Sequence, residues 1–389
     1  ALVGLVRVSG NFLTKDKVIR RLIEAKPGRP FDEKALRNSE RKIRATRLFN
    51  DVRITVQEPD PAAPEYRDIL VEVKERNTGS VNFGVALGSD SGIFGEISIN
   101  QSNFDVADLP ESPSELISGR AFRGAGQEFQ FVFRPGNEIF QYLISLTEPH
   151  LFETDYSFTV LGSWRRRVYS QYDEERTTAR LVFDRRLGDI WRIAFSPTFE
   201  RVRLTDIDNS APIEVFRDAG PDEFFSIPFG LTRSTLDALA RPTEGSRLET
   251  TLALFTGDFD FTKIRADYSV FFTIDEDFLG RKTTFRLNTR VGYIFGGEAP
   301  TYEKWYMGGS NFRGFDFRTI SPKGIRADTG EVGDDPVGGD WLFFLGGQVE
   351  VPLLKEVITG VAFVDSGTVT NDVSFDDYRL AIGLGVRLY

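Results

Sequence analysis

From residue 77 to the C-terminal end the chain alternates apolar and polar residues in unusually long runs. Residues 261–275 set Ile264, Ala266, Tyr268, Val270, Phe272 and Ile274 on one face and Lys263, Arg265, Asp267, Ser269 and Thr273 on the other. Residues 282–295 repeat the pattern, with Phe285, Leu287, Val291, Tyr293 and Phe295 against Thr284, Arg286, Asn288 and Arg290. The final segment places Tyr378, Leu380, Ile382, Leu384, Val386 and Leu388 opposite Arg379, Ala381, Gly383, Gly385 and Arg387. A soluble β-sandwich also alternates, so length and number must separate the possibilities. About fourteen strands are expected, at 79–88, 92–103, 119–133, 139–149, 154–166, 173–184, 190–203, 225–236, 245–256, 261–275, 282–295, 341–352, 357–368 and 377–389. Many exceed the usual ~5–6 residues of globular strands and reach the ~9–11 that a tilted strand needs to cross a bilayer. Lipid cannot satisfy a free sheet edge, so such strands must close into an antiparallel transmembrane barrel with its polar face toward the lumen.

Composition fits that reading. The 35 Phe in 389 residues call for many flat apolar surfaces, yet no run approaches the ~18 apolar residues of a membrane helix. With no Cys there is no disulfide, thiol nucleophile or thiolate metal site, and the single His150 makes His clusters and a Ser/His/Asp triad unsuitable. The chain has no phosphate-binding loop, and its net charge of −10 lacks the basic stripe of a nucleic-acid binder. Non-enzymatic function without a cofactor is therefore expected. The acidic clusters at 328–335 and 372–377 suit solvated loops better than calcium sites.

Charge also divides the chain. Residues 1–76 carry 17 basic and 12 acidic side chains, the remainder 31 and 46. The first part reads as β-α-α-β-β, a small α+β domain. A strand at 5–11 precedes a helix over about 15–25 capped by Thr14, and Asp32 caps a second helix over 33–47 carrying Leu36, Ile43 and Leu48 on one face. Strands at 52–57 and 68–74 flank a Pro-rich loop. The segments VRVSGN, TKDKVIRRLI, PGRPFDEKALRNSERKI and LFNDVRITV resemble a polypeptide-transport-associated (POTRA) domain; a generic α+β fold is the alternative. The expected domains are 1–76 and 77–389.

The connection 296–340 exceeds the ~12–15 residues beyond which a loop usually has a function of its own. It contains Gly308-Gly309-Ser310-Asn311-Phe312-Arg313-Gly314-Phe315. With Phe363-Val364-Asp365-Ser366-Gly367 and Glu148-Pro149-His150-Leu151-Phe152, it resembles the GGS…RGF, FxDxG and EPYLF elements of the bacterial outer-membrane-protein assembly factor (BamA) family. Counting connections from a periplasmic N-terminal domain makes 296–340 the sixth external loop. Arg313, a permanently charged fork of five donors, suits a bidentate bond to a carboxylate in the lumen, although a solvated loop arginine is the simpler alternative. The resemblance implies that the loop folds into the lumen and that Arg313 meets Asp365 and Glu350, in a site that includes Gly314, Phe315 and Gly367.

The strand 79–88 is the least hydrophobic of the set, with Gly79, Gly84 and Gly88. Glycine weakens a strand or accommodates curvature. The resemblance implies a lateral gate here, at Gly79, Val81, Phe83, Gly84 and Val85, templating client strands by β-augmentation without nucleotide hydrolysis. It further implies an outer-membrane location in a Gram-negative bacterium with the POTRA domain in the periplasm. Unfolded outer-membrane proteins are the expected clients, with periplasmic lipoproteins and chaperones reached through the POTRA domain. A two-partner or autotransporter-type translocation pore is the alternative function, and a passive porin a third. The family's sixteen strands and several POTRA domains exceed what is found, so a fragment trimmed at both ends is expected, and residues 104–118 read as an insertion in a periplasmic turn.

Overall fold

The computed structural model describes residues 1–58, 61–117, 119, 121–354 and 357–388. They form two compact units, one of residues 1–83, 97–132 and 143–159, the other of residues 84–96, 133–142 and 160–389.

The first unit holds β1 (Leu2–Ser9), α1 (Asp16–Arg20), α2 (Glu33–Ala45), β2 (Phe49–Val56) and β3 (Tyr66–Glu75). The strands order as β1-β3-β2, with β1 parallel and β2 antiparallel to β3. Val18, Ile19, Ile43, Val52, Ile69 and Val71 fill the core between helices and sheet. The Asp32 side chain accepts the Lys34 N–H at 2.8 Å and caps α2. Thr14 does not cap α1, which is also shorter than expected. Its backbone N–H donates to Glu75 at 2.6 Å, and its buried hydroxyl accepts from Asn103 Nδ2 at 2.8 Å, so both groups serve tertiary contacts instead.

The remaining strands are β4 (Gly79–Gly88), β5 (Gly92–Phe104), β6 (Gln127–Arg134), β7 (Ile139–Glu148), β8 (Tyr156–Val168), β9 (Asp173–Leu187), β10 (Trp191–Phe195), β11 (Thr198–Thr205), β12 (Asp222–Ser234), β13 (Gly245–Gly257), β14 (Phe261–Glu276), β15 (Lys282–Phe295), β16 (Lys323–Ile325), β17 (Val332–Pro336), β18 (Trp341–Leu354), β19 (Ile358–Thr370) and β20 (Arg379–Leu388). Short helices α3 (Pro113–Ile117) and α4 (Ile213–Arg217) lie in connections. Apart from the β16–β17 hairpin, these strands build one sheet in chain order from β4 to β20, and the two end strands each have one neighbour in that order.

Two strand expectations need correction. Of the segment expected at 119–133, residue 120 lies outside the described residues and the strand begins at Gln127, because N–H groups of residues 123–126 are taken by the end of β5 and its following turn. Arg123 donates to Asp108 at 3.1 Å, Gly124 to the Asn103 carbonyl at 2.9 Å and Gly126 to the Asn103 side chain at 2.9 Å. The single strand expected over 190–203 is two, β10 and β11, which both pair with β9 and β12. Ser196 and Pro197 interrupt it, since proline offers no N–H to a ladder.

The faces of the large sheet invert those of a soluble protein. On β14, Ile264, Tyr268, Phe272 and Ile274 are exposed, while the opposite face carries Asp267, paired with Arg265 at 2.5 Å and with Arg290 of β15 at 2.9 Å. β20 exposes Leu380, Ile382, Leu384, Val386 and Leu388 in the same alternating way. Exposed apolar stripes on strands of up to 16 residues, backed by a face of ion pairs, meet the requirements of a lipid-facing sheet. Among the described residues no helix is long and apolar enough to cross a membrane.

Candidate functional site

The connection 296–340 is ordered by its own backbone. Met307 and Ile320 exchange N–H···O bonds of 3.1 and 2.9 Å, Trp305 and Gly339 exchange bonds of 2.9 and 3.0 Å, and Gly309 N–H donates to the Phe315 carbonyl at 2.7 Å. The motif 308–315 is therefore a closed turn at the end of a braced hairpin. Phe312, completely buried, sits edge-on to Phe344 of β18 with ring centroids 5.6 Å apart, in a cluster with Met307, Ile320, Leu342 and Val369. Phe315 packs against the same cluster, 5.3 Å from the Phe312 ring. The apolar group thus lies on the polar side of the sheet and plugs the loop onto the wall.

Arg313 is held beside this plug. Its Nε donates to Asp365 Oδ2 and its Nη2 to Oδ1, each at 2.7 Å, and its backbone N–H reaches the same carboxylate at 3.2 Å. The guanidinium lies 3.7 Å from the centroid of the Phe363 ring, adding a stacked cation to the bidentate pair. Asp365, on β19, is 1% exposed, so its charge depends on this partner. Gly314 follows with φ of 88°, in the left-handed region, and a Cβ there would stand 3.0 Å from the Ala381 methyl of β20. Gly367 leaves room for the Met307 side chain, since a Cβ there would come within 3.1 Å of Met307 and 2.3 Å of the Phe343 carbonyl oxygen.

Glu350 is not a direct partner of Arg313. The third contact of the guanidinium is Gln348, whose side-chain oxygen accepts from Nη1. Gln348 then donates to Glu350 at 2.6 Å, and Arg387 of β20 pairs with Glu350. Gln348 and Phe363 are cross-strand partners, so a guanidinium stacked on Phe363 faces Gln348. Glu350 is two residues further along the same face, about 6.6 Å away at the rise of an extended strand.

Further anchors hold the loop, and none was evident from spacing. Glu303 accepts from Arg176 at 2.7 Å and pairs with Lys263 at 3.3 Å; burial opposes its charge, but Lys263 and Arg176 outweigh that and keep its carboxyl below the usual range. Arg318 lies 3.5 Å over the Tyr306 ring and 4.5 Å over Tyr169, and donates to the Tyr172 hydroxyl at 3.0 Å. Asp90, in the β4–β5 turn, accepts the Ser310 N–H at 2.7 Å; burial opposes its charge, yet the bonds from Ser310 hold its carboxyl below the usual range.

All five expected gate residues lie on β4. Val81, Phe83 and Val85 are exposed, Phe83 to 76% and Val85 to 84%; Gly79 falls on their face of the strand and Gly84 on the face of Ser80 and Asn82. Glu148 and His150 stand in a turn in which the Glu148 carboxylate accepts the His150 N–H at 3.1 Å and pairs with Arg21 at 3.4 Å.

A small α+β domain followed by a long antiparallel sheet with an apolar outer face defines an outer-membrane β-barrel protein with a periplasmic POTRA module. The chain belongs to the Omp85 superfamily, whose domain matches residues 121–389; a surface antigen variable number repeat (POTRA) matches residues 1–76. The outer membrane protein assembly factor BamA of Nitratidesulfovibrio vulgaris is 25% identical over 357 residues, 88% of this chain and 40% of the relative. The chain spans half or less of the length of this relative and of the BamA of Neorickettsia risticii. Among solved structures, BamA from Haemophilus ducreyi lacking POTRA domains 1–3 superposes with a TM-score of 0.81 at 19% identity, covering 100% of this chain and 78% of that one. CdiB from Acinetobacter baumannii follows with a TM-score of 0.61 at 15% identity, covering 100% and 68%.

Proposed function

We propose that this protein folds and inserts β-barrel proteins into the outer membrane, with β4 as the edge to which client strands add. The observation that carries the reading is β4 itself. It ends the strand order with β5 as its neighbour and presents the exposed apolar row Val81, Phe83, Val85 and Leu87. A strand edge offers the backbone N–H and C=O groups that an extended client needs, and alternate side chains supply an apolar match to lipid-facing client residues. Glycines at 79, 84 and 88 weaken its own pairing.

The anchored loop has a complementary role. Arg313, Asp365 and Gln348 fasten residues 308–315 to β18 and β19, and Gly314 lets the turn lie against β20. These strands are thereby held in one arrangement while β4 exchanges partners. Insertion by this route consumes no nucleotide, because the free energy comes from client strand pairing and burial in lipid. The POTRA domain would receive clients from periplasmic chaperones and lipoproteins.

Depletion of the full-length protein in its host tests the reading. A general fall in folded outer-membrane barrels is expected. Loss of a single secreted protein, with other barrels intact, would favour a translocation pore instead.

A further inference from the structure

A cavity of about 870 Å³ lies on the polar side of β13, β14, β15, β18 and β20, lined by seven basic and three acidic side chains. That volume falls within the ~300–1,000 Å³ of ligand pockets. Its acids are already committed. Glu249 pairs with Arg247, Asp267 with Arg265 and Arg290, and Glu350 with Arg387. Arg281, also in the lining, is paired with Asp277 at 2.6 Å.

Arg286, on β15, is the cation left over. Among the described residues it has no ion pair. Its Nη2 reaches the Ser269 hydroxyl at 3.5 Å, its guanidinium lies 5.4 Å from the Phe271 ring centroid, and its Nε is buried without a hydrogen-bond partner. The charges that act on it are Arg387, Arg313 and Arg290, all of like sign, and Glu350, which Arg387 already holds. A partly desolvated guanidinium among like charges is costly unless an anion offsets it.

We propose that this cavity binds a carboxylate-bearing extended polypeptide segment, with Arg286 taking a carboxylate and Ser269, Asn288 and Thr284 supplying neutral hydrogen bonds. The fork of a guanidinium matches an oxyanion with two parallel donors. The cavity is larger than a single ion needs, and its charged strand residues leave only a few apolar side chains such as Leu236, Leu239 and Phe271, so a mixed peptide fits better than a lipid phosphate with its acyl chains. The site rests on the client-handling reading for the origin of the segment; binding itself is measured without assembly.

The probe is a fluorescein-labelled decapeptide of alternating Glu and Ser, with its Gln/Ser counterpart, titrated by anisotropy into the detergent-solubilised full-length protein. The acidic peptide should bind at least about tenfold more tightly than the neutral one, and Arg286→Gln should weaken it by about tenfold while Arg286→Lys restores part of the loss. Equal binding of both peptides, or an unchanged affinity in Arg286→Gln, would overturn the site. Binding of inorganic phosphate with no binding of the acidic peptide would overturn the peptide assignment. The two peptides on the parent protein decide the matter even if the variant does not fold. Depletion with loss of barrels but no peptide binding would sink this site and leave the assembly role standing.

Discussion

Strands β19 and β4 belong to one sheet but are built in opposite ways. On β19, Asp365, Ser366 and Thr368 are all buried, Asp365 on the side that receives the loop and the other two on the opposite face, and each has a partner: Arg313, the Leu345 carbonyl and the Asp376 carbonyl. On β4, residues 80–87 are all exposed. One strand is fixed by a buried ion pair and an aromatic plug, whereas the other carries little that would resist a change of partner. A machine that templates strands needs both, because an edge can be offered only by a wall that keeps its form.

The largest effect should come from the anchored side. Arg313→Ala strands the buried Asp365 carboxylate and should cost about 3–5 kcal/mol, read as a lower urea midpoint in detergent micelles. Next, Phe312→Ala empties the plug and should cost about 3 kcal/mol in the same assay, less if the loop collapses into the space. Glu350→Gln should cost about 1 kcal/mol or less, since Gln348 and not Glu350 touches Arg313; a loss equal to that of Arg313→Ala would reverse the assignment of the third contact. Val85→Ala, on the bare strand, should change stability by no more than about 0.5 kcal/mol while slowing client insertion into liposomes, and a large stability loss there would erase the contrast between the strands.

Much of this architecture was legible in the sequence because a lipid-facing strand has to declare its period. Residues 282–295 could be placed to the residue, since an error of one would turn Arg286 and Arg290 into lipid. Where other forces compete, the pattern misled. Residues 123–126 look extended but give N–H groups to Asp108 and to Asn103 at the end of β5, and Thr14 has the chemistry of a cap but serves Glu75 and Asn103.

The site divides in the same way. Arg313 and Asp365 could be matched through motifs, but Gln348 could not be preferred over Glu350 without the register that puts it opposite Phe363. Asp90 and Ser310 are 220 residues apart, and Glu303 meets Arg176 across 127; no local spacing encodes such pairs.

The absence of Cys allows single cysteines to be placed at will. The most direct measurement is disulfide trapping in the full-length protein between a client strand carrying one cysteine and a cysteine at Val85, compared with one at Tyr268, an exposed position in the middle of the sheet. Client adducts should form at Val85 and not at Tyr268. Equal trapping at both positions, or trapping at Tyr268 alone, would contradict the account.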